Sequence, residues 1–238
     1  MRKKLTLKNV LSRISVVFFR ILILFVMLSL IQVLFFKWSD PVTTSIMTQR
    51  QIISFFSNDK SPVFRWIGYN KISKVFALAV VASEDQNFPT HFGFDFEQIN
   101  KALGERNERG RLRGASTITQ QVAKNLFLWE GRSFIRKGFE AYYTLMIEIM
   151  WSKKRILEIY LNIAEMGDNI FGVAQASKVY FKKLPAQLTQ LESVSIAAVL
   201  PNPKRYSVLH PSGYITRRQE RIINQMSLLG GISYLDGL

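Results

Sequence analysis

From Ile14 to Phe36 the chain is almost entirely Leu, Ile, Val, Phe and Met, broken by Arg20 and a few small or amide residues. As a helix the run is roughly 34 Å long at about 1.5 Å per residue, enough to cross a hydrocarbon core of about 30 Å. Arg20 sits near one end, where a long basic side chain can reach the headgroups. Residues 1–20 carry six Lys and Arg and no acid. The positive-inside rule therefore predicts a cytoplasmic basic tail at 1–13, a transmembrane helix at 14–36, and everything after Lys37 on the far side. A cleaved signal peptide is the competing reading. The run is long for one, and the residues from Phe35 to Thr44 show no small-x-small cleavage pattern, so a retained anchor is expected.

A single span leaves about 200 of the 238 residues for one ordinary domain, long enough to bury a core. Its charge is unusual. The chain carries a formal +15, and subtracting the six basic residues of 1–20 leaves +9 on the remainder. A basic domain asks for an anionic partner, whether nucleic acid, lipid headgroups or a phosphorylated substrate. DNA is disfavoured for a domain held on the outer side of a membrane. Cysteine is absent, which rules out disulfides and Cys-based zinc sites.

Helical periodicity dominates the chain beyond Asp40-Pro41. Residues 42–56 read as a short amphipathic helix within a juxtamembrane linker at 37–60. Ser57 to Lys60 matches S-x-x-K, but no K-T-G occurs later and the chain has no room for a transpeptidase domain. Further helices are predicted over 72–83, 94–103, from Ser116 or Thr117 onward, from Ser133 to about Trp151, and over 153–161, 172–181, 191–200 and 212–229. Thr117 with Gln120 fits a capping box. Phe139, Tyr142, Met146 and Ile149 form an apolar stripe. Gly104 to Gly114 lacks apolar rhythm and reads as a loop. No alternation lasts long enough to build a sheet, so the expected fold class is mainly α.

Four stretches hold more polar residues than helix building needs. Glu84 to Gly93 comes directly after an apolar helix and offers Glu84, Asp85 and His91. Acids at a helix end are usually solvated, yet a carboxylate desolvated by an apolar helix suits general acid–base work. Gly114 to Asn125 puts Ser116, Thr117, Gln120, Gln121, Lys124 and Asn125 at a helix start, where free N–H groups and the positive dipole end suit an anion. A capped helix with a wet face explains the same residues more blandly. Arg132, Arg136 and Lys137 cluster beside Phe127 and Trp129, as at a lipid phosphate. Glu140 one turn after Arg136 also fits a plain ion pair. Glu158 and Asn162 share a face and can be structural.

In this order the stretches resemble the five motifs of the peptidoglycan glycosyltransferase family, in its stand-alone membrane form. The pattern E-D-x-x-F-x-x-H-x-G is Glu84 to Gly93. G-x-S-T-[IS]-[ST]-Q-Q-x-x-K-N is Gly114 to Asn125, with Ala115 and Thr119 as small swaps. R-K-x-x-E-A is Arg136 to Ala141. K-x-x-I-L-E-x-Y-L-N ends at Asn162, and G-[VA]-x-x-A-x-x-Y-F is Gly172 to Phe181. The likeness covers about residues 60–230.

The resemblance implies a lysozyme-like helical glycosyltransferase domain at 61–230, with a smaller membrane-facing lobe and a short C-terminal tail at 231–238. The substrate would be lipid II, extended into β-1,4 glycan strands with release of undecaprenyl pyrophosphate in bacterial cell-wall synthesis. Glu84 would be the general base on the acceptor 4-hydroxyl, and Glu140 a second carboxylate on the donor side. Phe88, Ser116, Thr117, Gln120, Gln121, Lys124, Asn125, Arg132 and Arg136 would bind substrate; Asp85, His91 and Gly93 would support the site. A divalent cation, Mg or Mn, joins the pyrophosphate in some members, with no nucleotide or organic cofactor. The expected partners are lipid II, the growing glycan, the inner membrane and other cell-wall synthesis proteins. Two other readings stand beside this one. A membrane-anchored lytic glycosidase would need no Gln120/Lys124/Arg132 cluster, and a non-catalytic assembly scaffold would need neither Glu84 nor Glu140.

Overall fold

The computed structural model describes residues 7–57, 60–109, 116–131 and 133–238. Arg132 lies outside them, as do Asn58, Asp59, Gly114 and Ala115. The chain divides into two units, one ending at Ser39 and one running from Asp40 to Leu238. The first is helix α1, Leu7–Trp38. Within it Ser12–Trp38 is 27 residues long with a mean hydropathy of 2.8, long and apolar enough to cross a membrane.

The second unit is built from helices α2 (Ser45–Ser57), α3 (Lys74–Glu84), α4 (Phe96–Arg109), α5 (Ile118–Phe127), α6 (Phe134–Met150), α7 (Lys153–Ile163), α8 (Gly172–Phe181), α9 (Gln190–Val199) and α10 (Gly213–Leu228). Helix α3 is its axis. Phe76 to Ala82 are all buried, because the run is apolar on every side and α9 and α10 cover it. A second layer packs α5 against α6 and α7. Side-chain caps start the helices where the sequence places them. Ser73, Ser133 and Ser152 accept from the backbone N–H three residues on. Thr117/Gln120 and Thr189/Glu192 form complete capping boxes.

Three expectations are corrected. A small sheet exists: β1 (Val63–Phe64), β2 (Glu165–Gly167) and β3 (Ile170–Phe171), in the order β1-β3-β2. Strands of two or three residues are too short for alternation to register. The expected loop at 104–114 is helical as far as Arg109, and 110–115 lie outside the described residues. Glu, Arg, Lys and Ala favour helix without burial, and Lys101 pairs with Glu97 one turn back. The third correction concerns α6. Its buried side is Glu140, Tyr143, Thr144, Ile147 and Glu148, not the expected apolar stripe. Phe139, Tyr142 and Met146 are half-buried or exposed, and Ile149 is 69% exposed. Hydropathy assigns the apolar side to the interior, but here polar side chains find partners inside.

Two segments expected as linker and tail are docked. Helix α2 is tied to the domain by Arg50, which holds Glu130 at 2.7 Å and also Glu165, while Gln49 donates to the Leu128 carbonyl. Residues Gly231–Leu235 form a 3-10 turn against α3, with Leu235 buried.

Candidate active site

Glu84 is the last residue of α3 and lines a cleft of about 1390 Å³. Its Oε2 accepts from Gln121 Nε2 at 3.0 Å, and its Oε1 accepts from Arg218 Nη2 at 3.2 Å. The Ser83 hydroxyl also lies 3.2 Å from Oε1. Gln121 is turned by Tyr160, whose hydroxyl donates to Gln121 Oε1 at 3.2 Å. Burial, with the nearby charges of Glu84 and Asp85 as the next causes, pushes the Tyr160 phenol well above its ordinary value. Tyr160 keeps its hydroxyl hydrogen and donates it to Gln121 Oε1, which leaves the Gln121 NH₂ for Glu84.

Asp85 explains why Gln121 arrives there. It caps the end of α3, and its Oδ2 accepts the Ile118 N–H at 2.8 Å, pinning the start of α5. His91 Nε2 donates to the same carboxylate at 2.8 Å, and Lys153 holds the His91 carbonyl at 2.6 Å. The N-terminus of α5 is thus already filled by a carboxylate of the chain. Thr117 and Gln120 complete the cap, Gln120 Oε1 accepting the Thr117 N–H and Thr117 Oγ1 donating to the Gly93 carbonyl at 2.7 Å. The expected anion site at this helix start is corrected accordingly. Thr117, 2% exposed, and Gln120, 5% exposed, are engaged in this cap, and Thr117 also lines the cleft. Gly93 has φ +75°, and a Cβ there would stand 2.7 Å from Thr144 Cγ2. That close approach lets its loop lie on α6.

Phe88 is corrected too. Expected at the substrate, it is fully buried under the Lys153 ammonium, 4.8 Å from its ring centroid, and packs in the core. Ser116, Gln121, Lys124, Asn125 and Arg136 do line the cleft. The Lys124 ammonium makes no hydrogen bond or ion pair among the described residues. Burial pulls its ammonium below the ordinary 10.5, with Glu140 pulling the other way. An ammonium left unpaired in a half-dry cleft is a receptor for an anion.

Glu140, the expected second carboxylate on the donor side, is held by two cations behind the cleft. It is 3% exposed, accepts from Arg136 Nη1 at 2.8 Å, is paired with Lys137, and does not line the cleft. Its effect is to hold Arg136 at the cleft edge with a buried, unpartnered Nε. Farther in, Glu148 anchors Thr119 at 2.5 Å and Lys153 at 2.8 Å. Tyr160, Arg218 and the Arg50–Glu130–Glu165 group were missed from sequence. Tyr160 sits inside the fourth motif and could have been weighed there. Arg218 lies among Arg217 and Arg221 on a polar helix and carried no local signal. Among the described residues no group of three His, Cys, Asp or Glu could hold a metal ion. This donor set does not fit a resident metal cage.

A helical domain whose cleft joins a held carboxylate, Glu84, to the Lys124 ammonium and the Arg136 guanidinium fits an enzyme acting on an anionic substrate. The sequence pattern of the Transglycosylase family matches residues 49–227, and the chain belongs to that family. It is 46% identical over 220 residues to a biosynthetic peptidoglycan transglycosylase of Xylella fastidiosa (strain 9a5c), covering 91% of this chain and 90% of that one. Proteins of the same description are similar in Cronobacter sakazakii (49% over 205 residues, 85% of each chain) and in Escherichia coli strain Crooks (52% over 196 residues, 81% of each chain).

Proposed function

We propose that this chain polymerises lipid II into glycan strands of peptidoglycan, with release of undecaprenyl pyrophosphate. The observation that carries this reading is the shared cleft. Glu84, held by Gln121 and Arg218, opens onto the same space as the unpaired ammonium of Lys124 and the guanidinium of Arg136.

The chemistry needs both ends. Glu84 accepts the proton of the acceptor 4-hydroxyl, and the oxygen lone pair attacks C1 of the donor sugar. The bond from C1 to the pyrophosphate oxygen breaks, and its electron pair leaves with the lipid pyrophosphate. Lys124 and Arg136 meet the charge that develops on that oxygen. Attack opposite the leaving group inverts C1, and the proton on Glu84 returns to solvent. Glu140 acts by fixing Arg136. With its basic N-terminus in the cytoplasm, α1 would place the domain outside the inner membrane, where a lipid-linked sugar is presented.

The test is purified full-length protein with lipid II in detergent, beside Glu84→Gln. Wild type releases undecaprenyl pyrophosphate and makes glycan chains, and the variant makes neither. Equal polymer from both, or none from wild type, overturns the reading.

A further inference from the structure

We propose that Arg218 on α10 is a positioning residue for Glu84, selecting which carboxylate oxygen receives the substrate proton. The inference rests on the reading of Glu84 as the base. Arg218 reaches back across the sequence, and among the described residues its side-chain hydrogen bonds all run through one nitrogen. Nη2 donates to Ser83 Oγ at 2.8 Å, to Glu84 Oε1 at 3.2 Å and to the Ser83 carbonyl at 3.4 Å. Its Nε is buried with no partner. An arginine placed only to stitch helices together would satisfy that donor, since a buried unpaired N–H is costly. The head is instead held where it serves Glu84.

Two features make such a cation necessary. Glu84 ends α3, so its carboxylate faces the partial negative charge of the helix C-terminus. It is also largely out of water, with 11% of the side chain exposed. Arg218, itself 19% exposed, supplies the compensating charge at short range. The Ser83 hydroxyl accepts from Arg218 and is 3.1 Å from the Ala197 carbonyl of α9, so it can donate there. Oε1 is therefore turned toward α10 and occupied. Oε2 carries the Gln121 bond alone and keeps one lone-pair site for the acceptor hydroxyl. The proton goes to Oε2.

The experiment uses the full chain in detergent with lipid II, comparing wild type, Glu84→Gln, Arg218→Ala, Arg218→Gln and Arg218→Lys. A misplaced base costs on the order of 100-fold, so kcat of Arg218→Ala falls by about that factor while KM moves less than about threefold. Added guanidinium at roughly 50 mM, far below its molar denaturing range, restores a measurable part of kcat, and sodium chloride at equal ionic strength does not. Arg218→Lys keeps more activity than Arg218→Gln, because it keeps the charge. Wild-type kcat in Arg218→Ala overturns the proposal, as does a loss that appears only in KM or one that guanidinium leaves untouched. If Arg218→Ala fails to fold by circular dichroism, the Lys and Gln variants decide by their order, and equal activities overturn it. Activity retained in Glu84→Gln sinks the base itself. An inactive Glu84→Gln beside an unimpaired Arg218→Ala sinks the role of Arg218 alone.

Discussion

The Tyr160 hydroxyl donates to Gln121 Oε1 at 3.2 Å, and that bond turns the amide so that its other end holds Glu84 at 3.0 Å. A fully buried phenol on α7 thereby aims a carboxylate at the end of α3 through a side chain of α5. Tyr160→Phe removes the donor and leaves the amide free to flip. Stability should fall by about 1 kcal/mol in urea melts, the usual worth of one buried hydrogen bond. Activity should fall about tenfold in kcat, a further 1.4 kcal/mol at the transition state. Unchanged kcat would mean that Gln121 is oriented by something else.

Lys124 sets the alkaline edge. Burial holds its ammonium below the ordinary value of 10.5, so it loses its charge at lower pH than a surface lysine. The alkaline limb of kcat/KM, which reports free enzyme, should lie below 10.5 and move upward in Lys124→Arg. The sign for stability comes from the same shift. The unfolded state binds this proton more tightly, so stability rises as pH climbs from the folded value toward the unfolded one. Lys124→Met should be more stable than wild type at neutral pH, with the difference closing as pH nears 10.5 in thermal melts. A constant difference across pH would contradict the assignment.

Arg50 is the fastening of α2. It bonds Glu130 and Glu165 and lies 5.3 Å from the Phe171 ring centroid. Removing one member of a buried ionic group strands the rest, but Glu130 is 40% exposed and water screens part of the loss. Arg50→Ala should cost about 2 kcal/mol, and amide exchange should quicken over residues 45–57 before it does elsewhere. Uniform exchange across the domain would argue against a local fastening.

Two glycines with positive φ should answer differently to alanine. At Gly172, φ is +75° and a Cβ would stand 2.0 Å from the Asn162 carbonyl oxygen, which is backbone and cannot step aside. Gly172→Ala should lose more than about 3 kcal/mol. At Gly230, φ is +87° with nothing within 4 Å of an added Cβ, so Gly230→Ala should cost only about 1 kcal/mol of left-handed strain. Chemical denaturation of the two variants checks the contrast.

What the sequence determined by itself is whatever depends on residues within one or two turns of each other. The apolar run of α1, the Thr117/Gln120 capping box, the Ser133 and Ser152 caps and the extent of α8 were all legible, because each is a contact between near neighbours. Glu84 and Lys124 could be singled out, since polar residues in excess of helix building stand out locally. Only the tertiary structure decided which of those polar groups stay free. It sends the Asp85 carboxylate into the start of α5, buries Phe88 and turns the acidic side of α6 inward. It also brings Arg218 from the far end of the chain onto Glu84. The physical reason is the same in each case. The Asp85 carboxylate and Glu84 are met by groups on other helices, whose approach no local pattern records.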